Sequence, residues 1–249
     1  MSFFPRGKGL REKLEFPAGP DISMKNKPSL SAFFILKLKQ IFFSGSGDFW
    51  ETRYSLGGNS GQGSYGKFAK FKAEVLNDFV EKNEILSVIE FGCGDGNQLS
   101  LSSYPQYTGL DVSPTALSLC REKFSEDKSK SFFLYSPACF VDRQKVFQAD
   151  LGLSLDVIYH LVEDDVFSAY MNHLFGAAKR FVIIYSSDIE GKGGTHARHV
   201  RHRNFSKQVS ERFTDWELIE KINNPYPGTG DFGQGSFADF FIFQNRRSA

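Results

Sequence analysis

The stretch VIEFGCGDG, Val88 to Gly96, decides the fold. Its first residues form a short apolar run of the kind found in buried parallel strands. Three glycines alternate with other residues directly after this run: Gly92, Gly94 and Gly96. Glycine allows a tight turn and lets the backbone approach a ligand closely. Asp111 follows Glu90 by 21 residues, near the ~20-residue spacing at which an acid meets ribose hydroxyls in nucleotide-binding βαβ units. The stretch therefore predicts a nucleotide-binding α/β fold.

Predicted strands and helices alternate downstream of this motif. The strand candidates are Ser87 to Phe91, Tyr107 to Asp111, Ser131 to Tyr135, Leu151 to Ile158, Phe181 to Ser187, and the later runs WELIEKI and GSFADFFIF. Ser113 and Pro114 supply an N-cap and a first-turn proline for one of the intervening helices. This alternation predicts a mostly parallel sheet with helices on both faces.

The glycine spacing separates two kinds of nucleotide site. A dinucleotide site favours GxGxxG, in which a helix N-terminus holds the pyrophosphate. This chain instead has GxGxG with Glu90 before it, and Asp95 inside the loop would repel a pyrophosphate. Acids suit a cationic ligand, and S-adenosylmethionine carries both an ammonium and a sulfonium. An NAD-dependent oxidoreductase is therefore disfavoured.

At these residues the chain resembles the class I S-adenosylmethionine-dependent methyltransferases, whose first motif is acid-x-Gly-x-Gly-x-Gly. Gly109 to Leu117 resembles the family's second-strand signature, Ala149 to Leu161 its fourth-strand motif, and Phe49 to Tyr54 a segment that covers the cofactor. The resemblance implies a Rossmann-like, doubly wound, seven-stranded sheet, mostly parallel with an antiparallel last strand. It also implies S-adenosyl-L-methionine as cofactor, bound by Glu90, Gly92, Cys93, Gly94, Gly96, Asp111, Val112, Ser154, Leu155 and Asp156.

Two features leave alternatives open within that resemblance. Asp156 is either a residue at the cofactor's edge or a helix cap. The third-strand region lacks the acid that commonly reads the adenine amino group, which leaves Phe140 and Asp142 as candidates.

The chain divides into a basic N-terminal arm or lid, residues 1–47, and a methyltransferase domain, residues 48–249. Residues 1–40 carry eight Lys or Arg and three Asp or Glu. Ser29 to Ser44 is apolar with interspersed lysines, and we interpret it as a lid helix, with a membrane-interface helix as the alternative. The Gly/Ser-rich stretch from Gly57 to Gly66 either presents backbone N–H groups to an anion or serves as a flexible connection.

Candidate catalytic and acceptor-binding residues cluster after the fourth and fifth strands. We predict His160, at the edge of the expected cleft, as the first candidate base, followed by His196 and His199. Residues 189–235 form the predicted substrate-recognition region, because arginines grip anions bidentately. The candidate acceptor-binding residues are Tyr65, Arg198, Arg201 and Arg203. His196, His199 and His202 at three-residue spacing raise the possibility of zinc on one helical face, but interleaved arginines disfavour it and we predict no metal.

Composition limits the function classes. A formal net charge of +1 argues against a whole-surface nucleic-acid binder, so a nucleic-acid partner is not expected. Three cysteines without a CxxC pair, and no apolar run near the ~18–20 residues of a membrane span, lead us to expect a cytoplasmic protein. The expected activity is methylation, at oxygen, of a small glycan-like or anionic acceptor. A non-catalytic cofactor-binding module and an N-methyltransferase of a small amine remain alternatives, and the oligomeric state stays open.

Overall fold

The computed structural model describes residues 45–191, 198–228 and 235–248, which form a seven-stranded sheet in the order β3-β2-β1-β4-β5-β7-β6. The strands are β1 Ser87–Phe91, β2 Gln106–Asp111, β3 Lys130–Leu134, β4 Ala149–Leu155, β5 Ala178–Ser186, β6 Trp216–Ile222 and β7 Asp239–Asn245. The helices are α1 Ser46–Ser55, α2 Gly66–Lys82, α3 Pro114–Lys123, α4 Asp164–Ala177 and α5 Phe205–Arg212.

The sheet is parallel except at β7. Strands β1 to β5 pair in parallel, whereas β7 lies antiparallel between β5 and β6. The seven-stranded, mostly parallel sheet with an antiparallel last strand is therefore confirmed.

Helices cover both faces of the sheet because successive residues of each buried strand point to opposite sides. On one face, Phe91 and Leu110 pack with Met171 and Leu174 of α4. On the other face, alternate residues of the same strands pack with α2 and α3. The predicted doubly wound arrangement is confirmed, and it leaves the carboxyl ends of the parallel strands as the place where the chain turns toward its helices.

Three local predictions differ from the structure. Strand β4 ends at Leu155, because Asp156 has a φ of 60° and turns the chain out of the sheet. Asp156 therefore caps no helix: a short 3₁₀ turn follows it and α4 begins only at Asp164. His199 and His202 do not share a helical face, since α5 begins at Phe205 and both histidines precede it.

The N-terminal arm lies almost entirely outside the described residues, as does His196. Within the described ranges, no helix is both long enough and apolar enough to cross a membrane. All three cysteines are free thiols; Cys93 and Cys120 are buried and Cys139 is exposed.

Candidate functional site

A cavity of about 330 Å³ lies at the carboxyl ends of β1, β2 and β4. The crossovers from β1 and from β4 run in opposite directions, so the cavity sits at the topological switch point where α/β sheets bind ligands. Its volume is within the range of small-molecule sites. Helix α1 and the segment around Gly45 complete its wall, and thus the helix that contains Phe49 to Tyr54 does cover the cavity.

The glycine motif forms the corner between β1 and the cavity. Gly92, Gly94 and Gly96 have φ values of 85°, 58° and 70°, a region that residues other than glycine rarely adopt. A Cβ on Gly92 would lie 2.5 Å from Val157 Cγ2, and one on Gly94 would lie 2.3 Å from Ser60 Oγ. Both glycines line the cavity. Glycine is therefore needed at these positions, and the backbone stays accessible to a ligand because no side chain covers it.

Asp111 ends β2 and faces the cavity with its carboxylate fixed. The carboxylate accepts hydrogen bonds from Gly94 N–H at 2.8 Å and from Ser113 N–H at 2.9 Å. Burial raises the pKa of Asp111 to about 6, while these N–H donors oppose the shift. Two carboxylate oxygens offer about four acceptor positions, so positions remain for the hydroxyls of a bound ribose.

Glu90 is the second buried acid on the cavity wall. Tyr107 donates its hydroxyl to Glu90 Oε2 at 2.6 Å. Burial raises the pKa of Glu90 to about 7, whereas the Tyr107 hydrogen bond and the charge of Lys72 lower it. A cation in the cavity would favour the ionised form of this carboxyl.

The Gly/Ser-rich stretch is docked onto the glycine motif by a pair of reciprocal hydrogen bonds. Ser60 N–H donates to Asp95 Oδ2, and Asp95 N–H donates to Ser60 Oγ, both at 3.0 Å. Tyr65 donates its hydroxyl to the same Asp95 oxygen at 2.7 Å. The anion that meets the Ser60 N–H of this stretch is thus a carboxylate of the chain itself.

Helix α1 is held over the cavity by hydrogen bonds at its first residue and near its middle. Ser46 donates its backbone N–H and its hydroxyl to the Glu163 carboxylate, at 3.0 and 2.6 Å. Glu51 accepts the hydroxyls of Ser113 and Thr115, each at 2.6 Å. The helix therefore closes the site through hydrogen bonds to segments that follow β2 and β4.

Lys72 is a site residue that sequence reasoning missed. It lies on α2 with a fully buried side chain, lines the cavity, and places Nζ 2.7 Å from Asp156 Oδ2. Asp156 also accepts the Tyr159 hydroxyl at 2.9 Å. One signal was available, because Lys72 lies four residues after Phe68 and four before Leu76, within the apolar stripe of α2.

His160 lines the cavity, where it was predicted, and the hydrogen-bond partner of one ring nitrogen fixes its tautomer. Nδ1 lies 2.9 Å from the carbonyl oxygen of His199, which only accepts, so Nδ1 carries the proton and Nε2 is left as an acceptor. Burial lowers the pKa of His160 to about 4, so the ring is neutral at pH 7. The His199 ring stacks on Phe49 at 4.4 Å and holds this arrangement in place.

Several predicted site residues lie away from the described cavity wall: Tyr65, Gly96, Ser154, His199, Arg198, Arg201 and Arg203. Arg203 is buried and donates to the carbonyls of Leu161 and Val162 and to Asp164. Arg201 pairs with the same Asp164 at 2.9 Å. These arginines brace the segment after β4, and sequence alone did not reveal those partners, which lie about forty residues earlier.

The remaining predicted cofactor residues, Cys93, Val112 and Leu155, do line the cavity. The adenine candidates do not: Phe140 packs against Phe91, and Asp142 accepts two N–H groups of its own loop. The wall at that end is instead the segment from Tyr135 to Ala138. Among the described residues, no group of three or more His, Cys, Asp or Glu is arranged to hold a metal ion.

Comparisons with known proteins agree with this fold. No family model matches the chain. A small RNA 2'-O-methyltransferase of Arabidopsis thaliana is 28% identical over 107 residues, which are 39% of this chain and 11% of that protein. The chain thus matches only a small part of that relative's length.

Solved structures match over more of the chain. The methyltransferase domain of bacterial CtHen1-C has a TM-score of 0.54 at 23% identity, covering 71% of this chain and 97% of that domain. Magnesium protoporphyrin IX methyltransferase from Synechocystis PCC 6803, solved with bound SAH, has a TM-score of 0.52 at 16% identity, with coverages of 71% and 83%. N-methyltransferase NodS from Bradyrhizobium japonicum WM9 has a TM-score of 0.54 at 14% identity, covering 71% of this chain and 85% of that protein. The fold of this chain is that of the class I methyltransferases.

Proposed function

We propose that this chain is an S-adenosylmethionine-dependent methyltransferase that methylates a hydroxyl group. The observation that carries the proposal is the cavity at the switch point, with a glycine corner on one side and the buried acids Glu90 and Asp111 beside it. A cationic cofactor complements those acids, whereas a pyrophosphate would be repelled by them. The fold and the methyltransferases similar to it support the same cofactor.

The chain's own residues account for the parts of such a cofactor. Asp111 would accept the ribose hydroxyls, and Gly92 and Gly94 would let the backbone approach the amino-acid portion. The segment Tyr135 to Ala138 would cover the adenine. The cofactor supplies an activated methyl group, and α1 with its hydrogen bonds to Glu163 excludes water from it.

A hydroxyl acceptor is favoured over a charged amine by the hydrogen-bond donor that Lys72 offers. Lys72 is the only lysine or arginine on the cavity wall among the described residues, and its ammonium would donate to a hydroxyl oxygen, whereas a protonated amine has no lone pair to accept that bond. His160 would accept a hydrogen bond from the acceptor through Nε2. Its low pKa suits that role better than the role of base that sequence analysis assigned.

Calorimetry with S-adenosylhomocysteine, and with NADH as the alternative ligand, tests the cofactor. We expect binding of the first only, and a loss of affinity of about tenfold or more in Asp111→Ala, because the carboxylate contacts both the loop and the ribose. Asp78→Ala, at an exposed position of α2, is the matched control. Unchanged affinity in Asp111→Ala would remove the cofactor assignment.

A second candidate acceptor is the ribose 2'-hydroxyl of RNA. The similarity to a small RNA 2'-O-methyltransferase and to bacterial CtHen1-C favours it, although the net charge of +1 does not. Tritiated S-adenosylmethionine incubated separately with short single-stranded RNA and with a methyl glycoside distinguishes a polymeric from a small hydroxyl acceptor. Cofactor binding without transfer to any fraction of a cell extract would favour the non-catalytic module instead.

A further inference from the structure

We propose that Lys72 and Asp156 form the site that binds and activates the acceptor hydroxyl, an inference that rests on the methyltransferase function proposed above. Lysine is almost never fully buried unless it is paired. Here the whole side chain is buried in α2, Nζ lies 2.7 Å from Asp156 Oδ2, and both residues line the cavity. A buried ion pair of this kind is costly to maintain, and its position on the cavity wall gives it a use.

The pair lies on the side of the cavity away from the ribose acid. Asp111 belongs to β2, whereas Asp156 follows β4 and donates its backbone N–H to Tyr185 of β5 at 2.9 Å. Lys72 Nζ lies 5.3 Å from the centre of the Tyr185 ring. With β1 between β2 and β4, and strands about 4.8 Å apart, roughly 10 Å separate the strands that bear the two acids. The pair is therefore two strands away from the ribose acid, toward β5, and Asp156 is assigned here to the acceptor instead of to the cofactor.

Asp156 is held in a conformation that few residues accept. Its φ of 60° is in the left-handed region, which aspartate tolerates better than most residues. Lys72 and Tyr159 hold its two carboxylate oxygens at 2.7 and 2.9 Å. Non-glycine residues in this region cluster at functional sites, and the turn is what brings this carboxylate from the end of β4 against Lys72.

The hydrogen-bonding capacity of the pair matches a neutral hydroxyl. An ammonium has three donors, and among the described residues Asp156 is the one hydrogen-bond partner of Lys72 Nζ. A hydroxyl donates one bond and has two lone pairs that accept, so it fits between the ammonium and the carboxylate without adding charge. A ligand with a carboxylate would instead compete with Asp156 for Lys72, the single cation, and would lie next to the acid Glu90.

In the transfer step, the acceptor oxygen forms a bond to the methyl carbon while the carbon–sulfur bond breaks and its electron pair remains on sulfur. The hydroxyl proton passes to Asp156 and then to water. Lys72 remains protonated and stabilises the negative charge that develops on the oxygen. The products are a methyl ether, S-adenosylhomocysteine and one proton, so atoms and charge balance.

The test uses the full chain with two hydroxyl probes, a 20-nucleotide single-stranded RNA and methyl α-D-glucopyranoside, and tritiated S-adenosylmethionine. We expect Lys72→Met and Asp156→Asn each to lower kcat on the methylated probe by about a hundredfold. The double variant, which leaves no unpaired charge, should be no slower than the slower single variant, because the two residues act as one unit. Lys70→Met, exposed on the same helix, is the control and should retain wild-type kcat.

A binding measurement separates this role from a cofactor anchor. Calorimetry compares S-adenosylhomocysteine with S-adenosyl-3-thiopropylamine, which lacks the carboxylate. We expect the ratio of the two affinities to be the same, within about threefold, in wild type and in Lys72→Met. A ratio that collapses by tenfold or more in the variant would assign Lys72 to the cofactor's carboxylate and overturn the inference, as would a variant kcat equal to that of wild type.

The proposed function fails differently. If the wild-type protein binds S-adenosylhomocysteine but methylates neither probe, the hydroxyl acceptor is wrong and the inference falls with it. If the wild type methylates a probe and the variants do so equally fast, the function stands and only the role of Lys72 and Asp156 is refuted.

Discussion

Glu90 makes the stability of the cofactor-free protein depend on pH in a way that can be calculated. Its pKa is raised from 4.5 to about 7 by burial, so the folded state holds the proton more tightly than the unfolded state. The stabilisation is therefore fully present below pH 4.5 and is lost as pH rises through 7. With 1.36 kcal/mol per pKa unit, the loss between pH 5 and pH 8 is about 2–3 kcal/mol.

Urea unfolding of the wild type and of Glu90→Gln, at several pH values from 5 to 8, measures this contribution. We expect the free energy of unfolding of the variant, relative to that of the wild type, to increase by about 2–3 kcal/mol across the range. Gln retains an oxygen that accepts the Tyr107 hydroxyl, so the hydrogen bond to this position is kept. Glu74→Gln, at an exposed position of α2, should follow the wild type. Parallel curves for wild type and Glu90→Gln would refute the reasoning.

Three further perturbations address the motif, the lid and the histidine. Gly94→Ala should abolish measurable S-adenosylhomocysteine binding and lower the free energy of unfolding by ~1–3 kcal/mol, because its Cβ would lie 2.3 Å from Ser60 Oγ. The control is Gly176→Ala, whose Cβ meets nothing within 4 Å, and equal losses of the two variants in chemical denaturation would contradict the prediction. Glu163→Ala should speed S-adenosylhomocysteine release severalfold in stopped-flow experiments, since α1 loses its hydrogen bonds at Ser46, and an unchanged rate would mean that this clasp does not limit exchange. His160→Gln should raise KM for the acceptor with little change in cofactor affinity, and a loss confined to kcat would restore the role of base.

The predicted fold is confirmed, and it was predictable because the residues that indicate it lie close together in the sequence. A strand followed by Gly92, Gly94 and Gly96 and then by an acid at Asp111 constrains the backbone within about twenty residues, and the left-handed φ values explain the glycines. The class I methyltransferase resemblance rested on the same residues and is confirmed for the fold. The end of β4 was placed three residues too far, because Val157 and Ile158 continue the apolar pattern after Asp156 has turned the chain.

The candidate site was only partly predictable because its other contacts are distant in sequence. Arg203 was expected at an anion, yet it donates to Leu161 O and Asp164 about forty residues earlier. A run of alternating His and Arg does not distinguish a guanidinium that is hydrogen-bonded to its own chain from one that is available to a ligand. The role of Lys72 was not predictable although its position lies in the apolar stripe of α2, because its partner Asp156 is 84 residues away.

The position of β7 also has a consequence for the order in which the chain can fold. Among the described residues, strand β6 pairs with β7 alone, and β7 separates it from β5. During synthesis, β6 therefore leaves the ribosome before β7, the strand with which it pairs. The edge of β5 stays unpaired until residues 239–245 emerge and insert between the two, so the parallel half of the sheet must wait with an open edge, a state that promotes association with other chains.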